Sequence, residues 1–149
     1  MPDTAHDPDL FALFTEIGII SQLSTNLLER VLPHGLTVAQ FSVLNHLSRR
    51  DEPQAPAKIA NAFQVSKGTM TSTLGKLESK AFVAITPNPK DGRGKFVALT
   101  QEGLTARNDA IAALGPDLAW LAERVDAGEI AELVKQLAGI RKMLDAKRD

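Results

Sequence analysis

Residues 57–100 constrain the fold more than any other stretch, because helical spacing there gives way abruptly to alternation with period two. Ile59, Ala60 and Phe63 share one face of a short helix expected over residues 56–63. Met70, Leu74 and Leu77 do the same for a second helix over 67–80. Ser66 is a suitable N-cap for that second helix, with Val65 and Met70 at the flanking staple positions. Val83 and Ile85, then Val97 and Leu99, fall on single faces of two strands. The intervening residues 87–94 hold two prolines and two glycines, and are expected as loop rather than strand. Two helices joined by a tight turn, then a hairpin with a basic tip, suit duplex DNA: the second helix fits the major groove and the hairpin reaches across the backbone.

The charge distribution agrees with that reading. The 149-residue chain has a formal net charge of −1. Residues 49–99 nonetheless hold nine Lys/Arg against four Asp/Glu, a net of +5, so the remainder carries −6. Such a chain presents a positive face to phosphates while staying acidic elsewhere. It has no cysteine, which fits a reducing cytoplasm. No uninterrupted apolar run approaches the roughly 20 residues that span a bilayer. The opening Met1-Pro2-Asp3-Thr4 lacks the basic and apolar regions of a secretory leader. A cytoplasmic protein without membrane contact is therefore expected. There is no nucleophile elbow or phosphate loop, and the carboxylates are dispersed, so no enzyme is expected. His6, His34 and His46 lack metal-ligand spacing, so neither metal nor other cofactor is expected.

The flanks are helical. Between residues 10 and 32, Leu10, Phe11, Leu13, Phe14, Ile17, Ile20, Leu23, Leu27 and Val31 make an apolar surface too wide for one neighbour. Pro33-His34-Gly35 ends this helix. Thr37 and Gln40 form a capping box for the next, with Leu36 and Phe41 as its staple; residues 51–55 then read as loop. Thr100 caps a fifth helix, which Gly115-Pro116 interrupts. Asp126 and Glu129 open a last helix whose Ile130, Leu133, Val134, Leu137, Ile140 and Leu144 are expected to face inward. The fold class is mainly α with a small β-hairpin wing, in one domain.

The run Val65-Ser66-Lys67-Gly68-Thr69-Met70-Thr71, continuing through Leu74, Lys76, Leu77, Glu78 and Lys80, resembles the MarR family of winged helix-turn-helix transcription regulators. The resemblance extends back to Leu36-Thr37 and Gln40-Phe41, and forward through Asn88-Pro89, Asp91-Gly92-Arg93, Lys95 and Leu99-Thr100 to Gly103. It implies a homodimer, in which residues 36–100 form the DNA-binding lobe and helices over 10–32 and 104–145 join the subunits. It further implies a repressor of a pseudo-palindromic operator, released by a small, often phenolic, ligand. Two positions depart from the family pattern: Ala81 stands where glycine is usual, and Ser72 where arginine is common.

Candidate DNA contacts are Ser66, Lys67, Thr69, Thr71, Ser72 and Lys76 on the second helix, and Arg93 and Lys95 on the hairpin. Arg93 has the reach to enter a minor groove, where its charge meets focused negative potential. Ser66 serves equally as a plain helix cap, and Lys76 as a solvated surface charge. Asp91 and Gly92 are assigned to shaping the wing, Asp91 by pairing with Arg93 or capping the loop backbone. Phe11, His34 and Trp120 are candidates for an effector pocket, although core packing suits Phe11 and Trp120 better. A protein-binding winged helix without DNA affinity is the alternative, favoured by the overall charge.

Overall fold

Capping chemistry sets where most of the helices start. In this computed structural model, which describes residues 7–148, α1 (Pro8–Val31) opens on Asp7, whose carboxylate accepts from the N–H groups of Asp9 and Leu10. His6 and residues 1–4, on which the leader expectation rests, lie outside the described residues. Thr37 and Gln40 make both bonds of the expected capping box at α2 (Val38–Ser48). α3 (Pro56–Phe63) has proline in its first turn and no side-chain cap, while Ser66 accepts from Thr69 N–H to open α4 (Lys67–Ser79). Thr100 Oγ1 accepts from Gly103 N–H at 3.0 Å, opening α5 (Gln101–Ala113). α6 (Gly115–Ala122) starts with Pro116 in its first turn, and Asp126 accepts from Glu129 N–H at 2.9 Å to open α7 (Ala127–Lys147). The chain divides into two compact units, one ending at Ala113 and the other beginning at Leu114.

The first unit holds the core. Leu36, Val43, Leu44 and Leu47 meet Ile59 and Ala60 from α3, Met70, Leu74 and Leu77 from α4, and Val83, Val97 and Ala106, with all of them buried. Ile59, Ala60, Met70, Leu74, Leu77, Val83 and Val97 lie on the faces anticipated from helical and strand periodicity, whereas Phe63, expected with them, is only partly buried. α5 comes close to the start of the hairpin, and only glycine fits at the crossing. A Cβ on Gly103 would stand 2.0 Å from Phe82 O and 2.8 Å from Leu99 Cδ1.

The link from α4 to the hairpin is a Schellman motif, in which Phe82 N–H reaches Leu77 O (3.0 Å) and Ala81 N–H reaches Glu78 O (2.9 Å). Its left-handed residue, Ala81 at φ 62°, is one that glycine usually supplies. Thr100 Oγ1 donates to Ala81 O at 2.6 Å and holds the turn down. A second left-handed residue, Gln64 at φ 55°, closes α3 in the same pattern, with Val65 N–H on Ala60 O.

β1 (Val83–Asn88) and β2 (Asp91–Leu99) pair antiparallel, Val83 opposite Leu99 and Ile85 opposite Val97. The ladder runs further than expected. Residues 87, 88 and 91–94 belong to strands, leaving only Pro89 and Lys90 as the turn, with a register irregularity between Pro87 and Asn88. Among the described residues the outer edge of β1 pairs with no other strand, so Pro87 is tolerated there without an N–H to donate. Gly92 and Gly94 take no left-handed conformation, so nothing in their backbone interrupts the strand. Residues 51–55 also contain one ordered bridge: Gln54 exchanges backbone bonds with Val97 at 3.0 and 2.8 Å.

The outer helices correct two expectations. On α1, Leu10, Phe11, Phe14, Ile17, Ile19, Ile20 and Leu23 are exposed, and no residue of that helix is buried. By length and composition this helix could cross a membrane, with a mean hydropathy of 1.2 over its 18-residue window. A count of uninterrupted apolar residues misses that property, because Thr15-Glu16 and Ser21-Gln22 break the run without lowering the average enough. In the second unit, Ile130, Leu133, Val134 and Leu144 of α7 are exposed rather than inward, while Leu137 and Ile140 are half-buried. Periodicity marks an apolar face but does not say which chain covers it.

Candidate nucleic-acid interface

α4 is pinned by one face and presents the other. Met70, Leu74 and Leu77 are buried, whereas Lys67, Gly68, Thr69, Thr71, Ser72 and Lys76 are exposed. The hydroxyls along this helix are not equivalent. Ser66 Oγ donates to Thr69 Oγ1 at 2.9 Å while accepting from Thr69 N–H at 3.1 Å, so these two residues are taken up by capping. Thr73 Oγ1 donates back to Thr69 O at 3.1 Å. Among the described residues, Thr71 and Ser72 have no such partner.

The wing takes its shape from side chains at its turn. Asn88 Oδ1 accepts from Lys90 N–H at 2.9 Å, and Asp91 Oδ1 accepts from Arg93 N–H at 3.1 Å. Asp91 therefore caps the backbone, as one of its two expected roles required. The glycine packed against it is Gly94, where a Cβ would stand 3.2 Å from Asp91 Oδ2; at Gly92 a Cβ would meet nothing within 4 Å. The wing-shaping role expected of Gly92 therefore has no steric basis. At its base the wing is held by Gln54, whose Oε1 accepts from His46 Nε2 at 2.8 Å in addition to the backbone bridge to Val97. Sequence reasoning missed Gln54, and a single bridging residue leaves no periodic signal.

A cleft of about 450 Å³ lies between these two parts, lined by Lys67 and Thr71 of α4, Asp91, Arg93, Gly94 and Lys95 of the wing, and residues 55–57 at the start of α3. Four of the eight expected DNA contacts thus border one cleft, whose lining holds three cations and one carboxylate. Lys67, Lys76, Arg93 and Lys95 have no ion-pair partner among the described residues. Uncompensated cations cost little in water, and each is free to displace counterions from a polyanion. Ser72 and Lys76 lie outside the lining of this cleft, on the exposed face of α4.

Of the three candidate effector residues, His34 borders a cavity. His34, at φ 59°, sits with Gly35 in a turn closed by Leu36 N–H on Pro33 O. Its Nε2 lies 2.8 Å from Asp109 Oδ2, its ring meets Phe82 edge-on, and its carbonyl accepts from Lys80 Nζ at 2.7 Å. A cavity of about 280 Å³ beside it is lined by Phe82, Gln101, Glu102, Thr105 and Ala106. Phe11 is 74% exposed on α1, and Trp120 is 59% exposed on α6 with the Arg124 guanidinium 4.2 Å from its ring centroid. Among the described residues both aromatics are therefore exposed, not packed in a core as preferred for them.

Residues 34–94 match the family model described as "MarR family". The multiple antibiotic resistance protein MarR of Escherichia coli is 32% identical over 131 residues, spanning 84% of this chain and 90% of that protein. The transcriptional regulator PecS of Dickeya dadantii is 32% identical over 102 residues, 64% of this chain and 61% of its own length. Among solved structures, a cysteine-to-serine mutant of E. coli MarR complexed with operator DNA superposes with a TM-score of 0.69 at 30% identity, covering 91% of this chain and 99% of that one. BldR of Sulfolobus solfataricus gives a TM-score of 0.78 at 25% identity, covering 91% and 96%. The agreement in sequence runs nearly the whole length of MarR and the folds superpose, so this chain belongs to the MarR family.

Proposed function

We propose that the chain acts as a homodimeric, sequence-specific regulator of transcription, most simply a repressor, that binds a pseudo-palindromic DNA operator and leaves it when a small aromatic ligand binds. The observation that carries the DNA reading is the cleft between α4 and the wing, where Lys67, Arg93 and Lys95 converge without ion-pair partners. A recognition helix fixed by three buried side chains and a wing fixed at its base by Gln54 make a rigid reading head. The operator-bound structure of the MarR relative supports the same assignment. In this reading Ser66 and Thr69 cap the helix beside the DNA, Lys67, Lys76 and Lys95 meet phosphates, Thr71 and Ser72 face bases, and Arg93 enters the minor groove.

The homodimer reading rests on the uncovered apolar faces of α1 and α7, where Phe11, Ile20 and Leu23 on one and Leu133, Val134 and Leu144 on the other stand exposed, as interaction surfaces do. Residues 10–32 and 104–145 then serve as dimerisation helices, and 36–100 as the DNA-binding lobe. The effector reading rests on the cavity beside His34, where one wall is apolar and the imidazole supplies a polar partner for a phenolic hydroxyl. Selection of bound duplexes from a random pool, followed by gel shifts with and without phenolic acids, tests all three parts. Recovery of a two-fold symmetric site that is released by one such acid is the expected result. Failure to retain any duplex at low salt would refute the DNA reading.

A further inference from the structure

We propose that this chain reads its half-site in the major groove by the 5-methyl group of thymine, with Thr71 as the specificity-determining residue. The proposal rests on the DNA-binding reading above and names the chemistry of recognition within it. Strong discrimination in the major groove comes from Arg or Lys to guanine, Asn or Gln to adenine and Glu or Asp to cytosine. The exposed face of α4 has no Arg, Asn or Gln, and its Glu78 stands about two turns beyond Thr71 toward the helix C-terminus. From Lys67 to Ser79 its exposed residues are Lys67, Gly68, Thr69, Thr71, Ser72, Gly75, Lys76, Glu78 and Ser79. Of the hydroxyls, Thr69 is engaged by Ser66, and Ser79 donates to Gly75 O at 3.0 Å. Those of Thr71 and Ser72 remain, neither turned back onto the helix in the way that Thr73 is.

Of these two, Thr71 combines a methyl with a hydroxyl and lies beside Arg93 and Lys95 in the cleft, so duplex gripped by the wing is brought against it. A threonine methyl against a thymine methyl is a selective apolar contact, because only T·A presents a methyl in that groove. The Ser72 hydroxyl donates or accepts equally well, and so discriminates little. Lys67 and Lys76 are assigned to phosphates, which a compact point charge suits better than the planar edge of a base. A narrow, A·T-rich minor groove also suits Arg93, so both reading elements favour the same kind of half-site.

The test uses the full-length protein with its selected operator, and fluorescence anisotropy as the readout. Each thymine of the half-site is replaced in turn by deoxyuridine, which removes only the 5-methyl group. Wild type and Thr71→Val, which keeps a methyl, should lose about fourfold in affinity per half-site at one thymine, the value of one buried methyl-sized group. Thr71→Ser, which keeps the hydroxyl and is similarly suited to an exposed helix position, should be indifferent to the replacement. Equal affinity for thymine and uracil at every position would overturn the proposal while leaving DNA binding intact. So would a uracil penalty that persists undiminished in Thr71→Ser. Absence of binding to any duplex would overturn both the proposal and the function on which it rests.

Discussion

Replacing Ala81 by glycine should stabilise the protein. Ala81 is the left-handed residue of the Schellman motif that ends α4, at φ 62°, with both backbone bonds of that motif formed and its carbonyl held by Thr100. A Cβ in that conformation costs about 1–2 kcal/mol, which glycine relieves. Glycine also loosens the unfolded chain, at a cost of about 0.4–1 kcal/mol. Taking midpoints, about 1.5 less about 0.7 leaves a gain of about 0.8 kcal/mol. For a chain of this size that raises Tm by roughly 2–3 °C. Thermal unfolding followed by circular dichroism is the assay, at one fixed protein concentration because association shifts Tm. Ala81→Val should move the other way by more than about 1 kcal/mol, since a β-branched side chain is least tolerated at positive φ. A glycine variant that melts at or below the wild-type temperature would refute the reasoning, and with it the assignment of strain to this turn.

Three further outcomes are expected. Arg93→Ala should weaken operator binding by about 1–3 kcal/mol while circular dichroism and oligomeric state stay unchanged. Gly103→Ala should destabilise strongly, by at least about 2–3 kcal/mol in denaturant titration, because the new Cβ would lie 2.0 Å from the Phe82 carbonyl oxygen and the backbone must move. Ile20→Glu should shift the protein toward monomer in analytical ultracentrifugation and abolish binding to the two-half-site operator, because a carboxylate then occupies the uncovered face of α1.

Local chemistry was legible in the sequence, whereas contacts between distant segments were not. The caps at Thr37, Ser66, Thr100 and Asp126 each follow from a residue and its near neighbours, and all four form. The inward faces of α2 to α4 follow from spacing in the same way. The length of the wing is not legible because Pro87, Gly92 and Gly94 look like breakers; a ribbon edge has no use for the missing N–H, and neither glycine adopts a left-handed backbone. Gln54 on Val97, Lys80 on the His34 carbonyl and His34 on Asp109 join segments that no periodic pattern connects. Phe11, Trp120 and the apolar side of α7 are exposed where packing was expected, since hydrophobic spacing marks an apolar face without saying what covers it. Four of the eight expected DNA contacts border one cleft, and Thr71 stands apart from its neighbours only through the bonds that engage Thr69 and Thr73, which spacing does not encode.

The most direct test of the central claim, that the face formed by α4 and the wing grips duplex DNA, is the salt dependence of operator affinity. Lys67, Lys76 and Lys95 are assigned to phosphates, so two chains on one operator neutralise about six, and log K should fall against log salt with a slope near −5. Lys95→Ala should lower that slope by about two units for the dimer, independently of operator sequence. Affinity that is flat in salt, or a slope unchanged by the lysine substitution, would contradict the account.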